Sequence, residues 1–217
     1  MKNTTIPLVP VVYYHIYNRG NNHENRFIEQ RNYSYFLSLY AKHIEPVAET
    51  YAYSLLRNHF HISVRIKIEE EYFQQISLAS KRGEVPATKP KKFNPSQAFS
   101  NFFNAYAKAI NKGYGRTGSL FEERFGRIPV TNDSYFMNLI FYIHYNPQKH
   151  GFVGDFRDWE WTSYHALLGT SETTLKRVEV LNMFDGIKGF EEFHKGMVNE
   201  KRVASLIDAE FELEVQT

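Results

Sequence analysis

From His59 to Ile66 the chain alternates without a break: His59, His61, Ser63 and Arg65 on one side, and Phe60, Ile62, Val64 and Ile66 on the other. Successive side chains of a strand point to opposite faces, so this segment is a β-strand with one apolar and one polar face. Its apolar face must be covered by a packed layer, and that requirement constrains everything around it. Ala48 to Leu56 reads as a strand joined to it by a tight turn near Arg57-Asn58. The aromatic, β-branched run Val11 to Tyr17 reads as another, ended by Asn18-Arg19-Gly20.

The covering layer is also written in the sequence. Tyr33, Phe36, Leu37, Tyr40 and Ile44 recur at helical spacing from Gln30, and Pro46 closes that helix. A second helix, Ser96 to Asn111, carries Phe99, Phe102, Phe103, Tyr106 and Ile110 near one stripe and stops at Gly113 and Gly115. Between them Glu69 to Ser80 suggests a short helix, and the Pro- and Lys-rich stretch from Lys81 to Lys92 a mobile loop. Ser119 to Val130 reads as strand, Asp133 to Tyr145 as a helix ended by Pro147, and Gly186 to Met197 as a further helix. The order β-α-β-β-α-β is that of a ferredoxin-like α+β sheet with helices on one face, here with additional C-terminal helical elements. The other face is left for a ligand or for those additions.

Cysteine is absent, which excludes disulfides, thiolate metal sites and Cys nucleophiles. No signal peptide is visible, and no run approaches the ~18 apolar residues of a membrane span. A soluble cytoplasmic protein is expected. The net charge of +2 conceals an uneven distribution. Asp208, Glu210, Glu212 and Glu214 make an acidic end, whereas Lys81 to Arg127 is basic.

Three groups of residues could carry chemistry. His59 and His61 share the polar face of one strand, so both imidazoles could hold a divalent metal with a third ligand from elsewhere. The plainer reading is a pair of strand histidines. The Tyr106 phenol could attack phosphorus where a metal polarises the phosphate. Its plainer reading is core packing among phenylalanines. Lys108, Lys112, Arg116, Arg124 and Arg127, interleaved with Tyr114, Phe121 and Phe125, offer cations for phosphates and rings for unstacked bases.

Six motifs in order resemble the single-tyrosine HUH transposases, in particular the branch of the REP-associated tyrosine transposases. They are Tyr17-Asn18-Arg19-Gly20, Arg57-Asn58-His59-Phe60-His61, Tyr106 with Asn111, Gly115 to Phe121, Tyr142-Ile143-His144-Tyr145-Asn146-Pro147, and Trp161-Thr162-Ser163-Tyr164. The resemblance runs over residues 10–168, roughly, and implies a catalytic domain over 1–168 and an extension of unknown role over 169–217. It implies a ferredoxin-like fold and metal-dependent cleavage and strand transfer of single-stranded DNA with hairpin ends. His59 and His61 would hold Mg²⁺ or Mn²⁺, and Tyr106 would form a 5′-phosphotyrosine link. Arg19, Arg57, Lys108, Arg116 and Arg124 would contact phosphates. Relatives of this type occur as monomers and as dimers, so a homodimer is open.

One position departs from the pattern. The better-known members carry a Gln or similar ligand four residues after the tyrosine, where this chain has Ile110. Asn111, about 100° further round the helix, is one candidate for the third ligand. Asn104, Glu122 or water are others, and Tyr114 is an alternative nucleophile. That gap keeps a second reading alive: a module that binds hairpin or single-stranded nucleic acid without cutting it. A hydrolase using water is a third reading, disfavoured because one HxH gives few ligands for a two-metal site.

Overall fold

The computed structural model describes residues 6–21, 24–83, 92–122 and 125–196. Strands β1 (Tyr13–Arg19), β2 (Ala48–Leu55), β3 (His59–Ile66) and β4 (Gly126–Pro129) form one sheet in the order β2-β3-β1-β4. Each neighbouring pair is antiparallel. Helix α1 (Gln30–His43) joins β1 to β2, and α2 (Glu69–Lys81) and α3 (Pro95–Gly113) join β3 to β4. The fold is therefore α+β, with the strand order expected of a split β-α-β arrangement. Most of the expected Lys81–Lys92 loop, residues 84–91, lies outside the described residues.

The alternation in β3 does what its chemistry requires. Phe60, Ile62, Val64 and Ile66 bury in one core with Tyr33, Phe36 and Tyr40 of α1 and Phe99, Phe102, Phe103, Tyr106 and Ile110 of α3. α3 starts where Asn94 caps it, its side chain accepting from Gln97 N–H at 3.0 Å, and Pro95 occupies the first turn. The opposite face is covered by α4 (Asp133–Lys149) and, behind it, α5 (Tyr164–Leu168), α6 (Arg177–Met183) and α7 (Ile187–Gly196). Phe136, Leu139, Ile140, Tyr142 and Ile143 of α4 share a second core with Leu175, Val180, Phe184 and Phe190. The additional elements thus close the face that the sequence left open.

Two expected boundaries change. The strand expected over Ser119–Val130 shrinks to β4, with Phe121 making an isolated bridge to Gly20. Leu120 and Phe121 are neighbours and both bury in the first core, which the alternation of a regular strand forbids. Pro147 does not end α4 but lies inside it. The proline forfeits one donor, yet His150 N–H still reaches Asn146 O at 3.0 Å and closes the last turn. That extra turn sets the position of Asn146.

A buried hydrogen-bond chain fixes α4 from behind. His194 Nδ1 lies 2.7 Å from Phe190 O and must donate to it. His194 Nε2 is then an acceptor for His144 Nδ1–H at 3.0 Å, and His144 Nε2 accepts from the Ser163 hydroxyl at 2.8 Å. Burial holds both imidazoles neutral, His144 well below its usual pKa and His194 at about 4.

Candidate active site

The polar face of β3 meets α4 directly. His59 and His61 project from it, and β1 places Arg19 opposite His59 and Tyr17 opposite His61. Two residues along, on the same face of β1, His15 brings its Nε2 to 2.9 Å from His61 Nδ1. Tyr142, Asn146 and Lys149 are spaced four and three residues apart, so they line one face of α4. The Tyr142 ring stands edge-on to His61 at 5.4 Å between centroids and to His15 at 6.1 Å. Lys149 Nζ lies 3.4 Å from the Tyr142 hydroxyl and 4.9 Å from the ring centre. Tyr142 is wholly buried, and the cluster reaches solvent past Arg19, Lys149 and the exposed His150, whose ring packs on His59 at 4.7 Å.

Burial dominates the electrostatics. It lowers His15 and His59 to about 3, the latter helped by His150, and His61 well below the usual range. It also brings Lys149 down to about 8, with Arg19 adding to the effect. The three imidazoles are therefore neutral, the form in which a histidine ligates metal.

The contacts of His59 carry more information. Its Nδ1 is 2.8 Å from Asn58 Oδ1, so a neutral ring donates there and leaves a lone pair on Nε2. Facing that lone pair at 2.8 Å is Asn146 Oδ1, another acceptor, while Asn146 Nδ2 is buried with no partner. Turning the amide over would satisfy the contact but leave the oxygen unmet instead. A divalent cation with ligands at about 2.1 Å puts neighbouring ligand atoms about 3 Å apart. The Nε2–Oδ1 pair therefore fits two ligands of one cation. Among the described residues no set of three His, Cys, Asp or Glu side chains is arranged to hold a metal, so a third protein ligand would be this amide.

Tyr106 is not part of this cluster. It lies on the Phe60 side of the sheet, ringed by Phe27, Phe36 and Phe121, and its hydroxyl donates to Arg26 O at 2.9 Å. Burial pushes its pKa up, away from a phenolate. Since His59 and His61 alternate with Phe60, the sheet stands between them and Tyr106. Asn111 is displaced with it: its Nδ2 donates to Gly118 O at 2.9 Å and its backbone carbonyl accepts from Arg116 N at 2.8 Å, bracing the turn after α3. Tyr114 is tied to Glu29 and Asn32 at the start of α1.

The expected phosphate contacts divide. Arg19 borders the histidines. Arg57 is exposed at the β2–β3 turn, in a cleft of about 560 Å³ with Tyr33, Trp159 and Trp161. Lys108 is on the exposed side of α3, across the sheet. Arg116 is ion-paired with Glu24, and Arg124 lies outside the described residues. Sequence reasoning missed His15, Tyr17, Tyr142, Asn146 and Lys149. One signal was present: four residues after Tyr142 stands Asn146, a side chain that can ligate, where four residues after Tyr106 stands Ile110, which cannot. Gly126 also belongs to the site, because a Cβ there would lie 2.1 Å from the Tyr17 ring.

No family model matches the chain. A protein of Haemophilus influenzae that carries the name REP-associated tyrosine transposase is 26% identical over 117 residues, which span 54% of this chain and 59% of that protein. The match thus covers less than two thirds of the relative's length. A solved structure of a REP-associated tyrosine transposase bound to a REP hairpin superposes with a TM-score of 0.55 over 77% of this chain and 86% of its own, at 14% identity. No helix among the described residues is long and apolar enough to cross a membrane. In sequence and in fold, this chain is similar to the REP-associated tyrosine transposases.

Proposed function

We propose that the protein cleaves and rejoins single-stranded DNA next to hairpins, with Tyr142 rather than Tyr106 as nucleophile. One observation carries the assignment: a single helix face lays Tyr142 and Asn146 over His59 and His61. His59, His61 and Asn146 would hold Mg²⁺ or Mn²⁺. When bound, the ion would neutralise charge on the non-bridging phosphate oxygens and assist departure of the leaving oxygen. Imidazole ligands bias binding toward Mn²⁺, while abundance favours Mg²⁺.

In the reaction the Tyr142 oxygen bonds to phosphorus and loses its proton, the bond from phosphorus to O3′ breaks, and O3′ takes a proton. The products are a 5′-phosphotyrosine and a free 3′-hydroxyl. The phosphodiester bond is exchanged rather than hydrolysed, so rejoining needs no external energy source. Lys149 has two uses here. Its lowered pKa lets the neutral amine take the phenolic proton, and its charged form stabilises a phenolate. His15 holds the His61 ring through Nδ1 and so presents Nε2 to the site. Tyr142 meets histidines of its own chain, so on this reading it works in cis.

The test is intact mass spectrometry after incubation with labelled hairpin oligonucleotides carrying single-stranded flanks and Mn²⁺. An adduct mapped to the peptide containing Tyr142 is expected; one mapped to Tyr106 would sink the assignment. The complete burial of Tyr142 favours a second reading, a hairpin-binding module that does not cut. That reading predicts tight, salt-sensitive binding with no adduct at any metal concentration.

A further inference from the structure

Arg26 is the most anomalous side chain in the molecule. Its residue exposure is 0%, yet Nε and Nη1 are buried without a hydrogen bond. Among the described residues, Nη2 is hydrogen-bonded to Asn21 O and Nη1 has a 3.6 Å ion pair with Glu24. The guanidinium lies against the backbone at the end of β1, where a Cβ on Gly20 would come within 2.2 Å of Arg26 Nε. Burying an uncompensated charge costs several kcal/mol, so a group held this way calls for an explanation.

The nearest counter-charge is Glu24, and it fits poorly. One oxygen, Oε2, serves two cations: it bonds Arg116 Nη2 and stands 3.6 Å from Arg26 Nη1. Glu24 leaves Arg26 Nε without a hydrogen bond. Its side chain is 44% exposed and that of Arg116 28% exposed, so the point between the two arginines is open to solvent although Arg26 itself is not. Among the described residues Glu24 is the one carboxylate within 4 Å of both guanidinium groups, and Glu122 acts on Arg26 from further away. Arg116 depresses the Glu24 pKa, and burial together with Arg116 lowers that of Arg26.

We infer that Arg26 and Arg116 form a binding slot for a phosphodiester of the nucleic-acid backbone, and that Glu24 occupies the slot until the phosphate displaces it. A phosphate is not tethered to the loop, so it can set one oxygen on each guanidinium, the geometry arginine favours. The place suits a strand that has just passed the active site. Gly20 follows Arg19, which pairs with His59, and Gly20 N–H and Arg26 N–H donate to Asn58 O and Arg57 O in the turn that leads into His59. The choice of nucleic acid as the source of the phosphate rests on the function proposed above; the anion slot does not.

Glu24→Gln is the decisive variant, because it removes the charge and keeps the size of the side chain, and the melting curve of each protein without phosphate serves as its own baseline. Two measurements are made on the full chain. Thermal stabilisation by inorganic phosphate should be larger in Glu24→Gln than in the wild type, and the gain should vanish in Glu24→Gln with Arg116→Ala. Binding of a single-stranded oligothymidylate at low salt should tighten about three- to tenfold in Glu24→Gln, and again not when Arg116 is also removed. Equal or weaker phosphate stabilisation in Glu24→Gln, or a gain that survives Arg116→Ala, would overturn the slot. If phosphate stabilises Glu24→Gln as expected but neither protein binds the oligonucleotide, the slot stands and the DNA reading fails. Equal oligonucleotide binding by both proteins leaves the DNA reading intact and removes Glu24 as its competitor.

Discussion

Replacing each tyrosine by phenylalanine separates the two assignments, because on the proposed reading the two hydroxyls have opposite jobs. Tyr106 would be structural. Its hydroxyl donates to Arg26 O at 2.9 Å inside the core, and removing it leaves a buried carbonyl without that donor. Such a loss costs about 1–3 kcal/mol. In a chain of this size each kcal/mol moves the melting temperature by about 2–4 °C. Tyr106→Phe should therefore melt several degrees lower while still forming the DNA adduct at temperatures where it is folded. Tyr142 is the reverse case. Its hydroxyl contact to Lys149 is long, at 3.4 Å, and the ring packing on His61 and His15 survives in phenylalanine. Tyr142→Phe should change stability by less than about 1 kcal/mol and abolish the adduct, since no oxygen remains to attack. The assay pairs a melting curve with denaturing-gel detection of the covalent complex. A folded Tyr106→Phe protein without adduct, or an undiminished adduct in Tyr142→Phe, would refute the reasoning.

Other outcomes follow from the same geometry. Asn146→Ala should weaken Mn²⁺ binding at least about tenfold in a direct metal titration, with His59→Ala and His61→Ala weakening it further; unchanged affinity in Asn146→Ala would remove the amide from the ligand set. Gly126→Ala should push the Tyr17 ring off its place and reduce adduct formation with the far-UV spectrum intact, whereas full activity would show that the ring has room to move. Stability should fall in acid. His194 is held at about 4 in the fold and titrates near 6.5 when unfolded, so between those values the unfolded chain binds more protons. Its contribution is fully present above pH ~6.5 and is lost on acidification at up to about 1.4 kcal/mol per pH unit. His194→Gln should flatten the melting temperature against pH between 6.5 and 4, and parallel curves for the two proteins would count against this account.

The sheet was legible because its periods are clean. Phe60 to Ile66 alternate against His59 to Arg65, and the α3 stripe repeats at helical spacing. Local sequence is enough to fix such elements once a single core must take every apolar side chain. α4 gave no such guide. Phe136, Leu139, Ile140, Phe141, Tyr142, Ile143 and His144 are all buried, because the helix is pressed between the sheet and α5–α7. A helix buried on all sides has no polar stripe to mark a functional face. Tyr142 therefore looks like packing, while Tyr106 draws attention as the one hydroxyl in a stripe of phenylalanines, although the structure buries it in the core. Pro147 misled for a related reason. Local chemistry makes it a stop, but the tertiary core on both sides of α4 carries the helix two residues past it, to Lys149, and so keeps Asn146 within the helix and against His59.

The proposed donor set would have a consequence for how the site works. Two imidazoles and an amide are all neutral, and Arg19 and Lys149 stand at the rim of the cluster. Among the described residues no carboxylate is a member of that donor set, and the cationic rim opposes a dication. The missing negative charge has to arrive with the substrate, in the phosphate that the ion would clamp. Binding of metal and of DNA would then be coupled, each raising the affinity for the other by the same factor. The proposed Arg26–Arg116 slot follows the same logic: among the described residues Glu24 is the one carboxylate within 4 Å of both guanidinium groups, and it meets them through a single oxygen. A phosphodiester strand passing the end of β1 and β3 would bring anionic charge to each place.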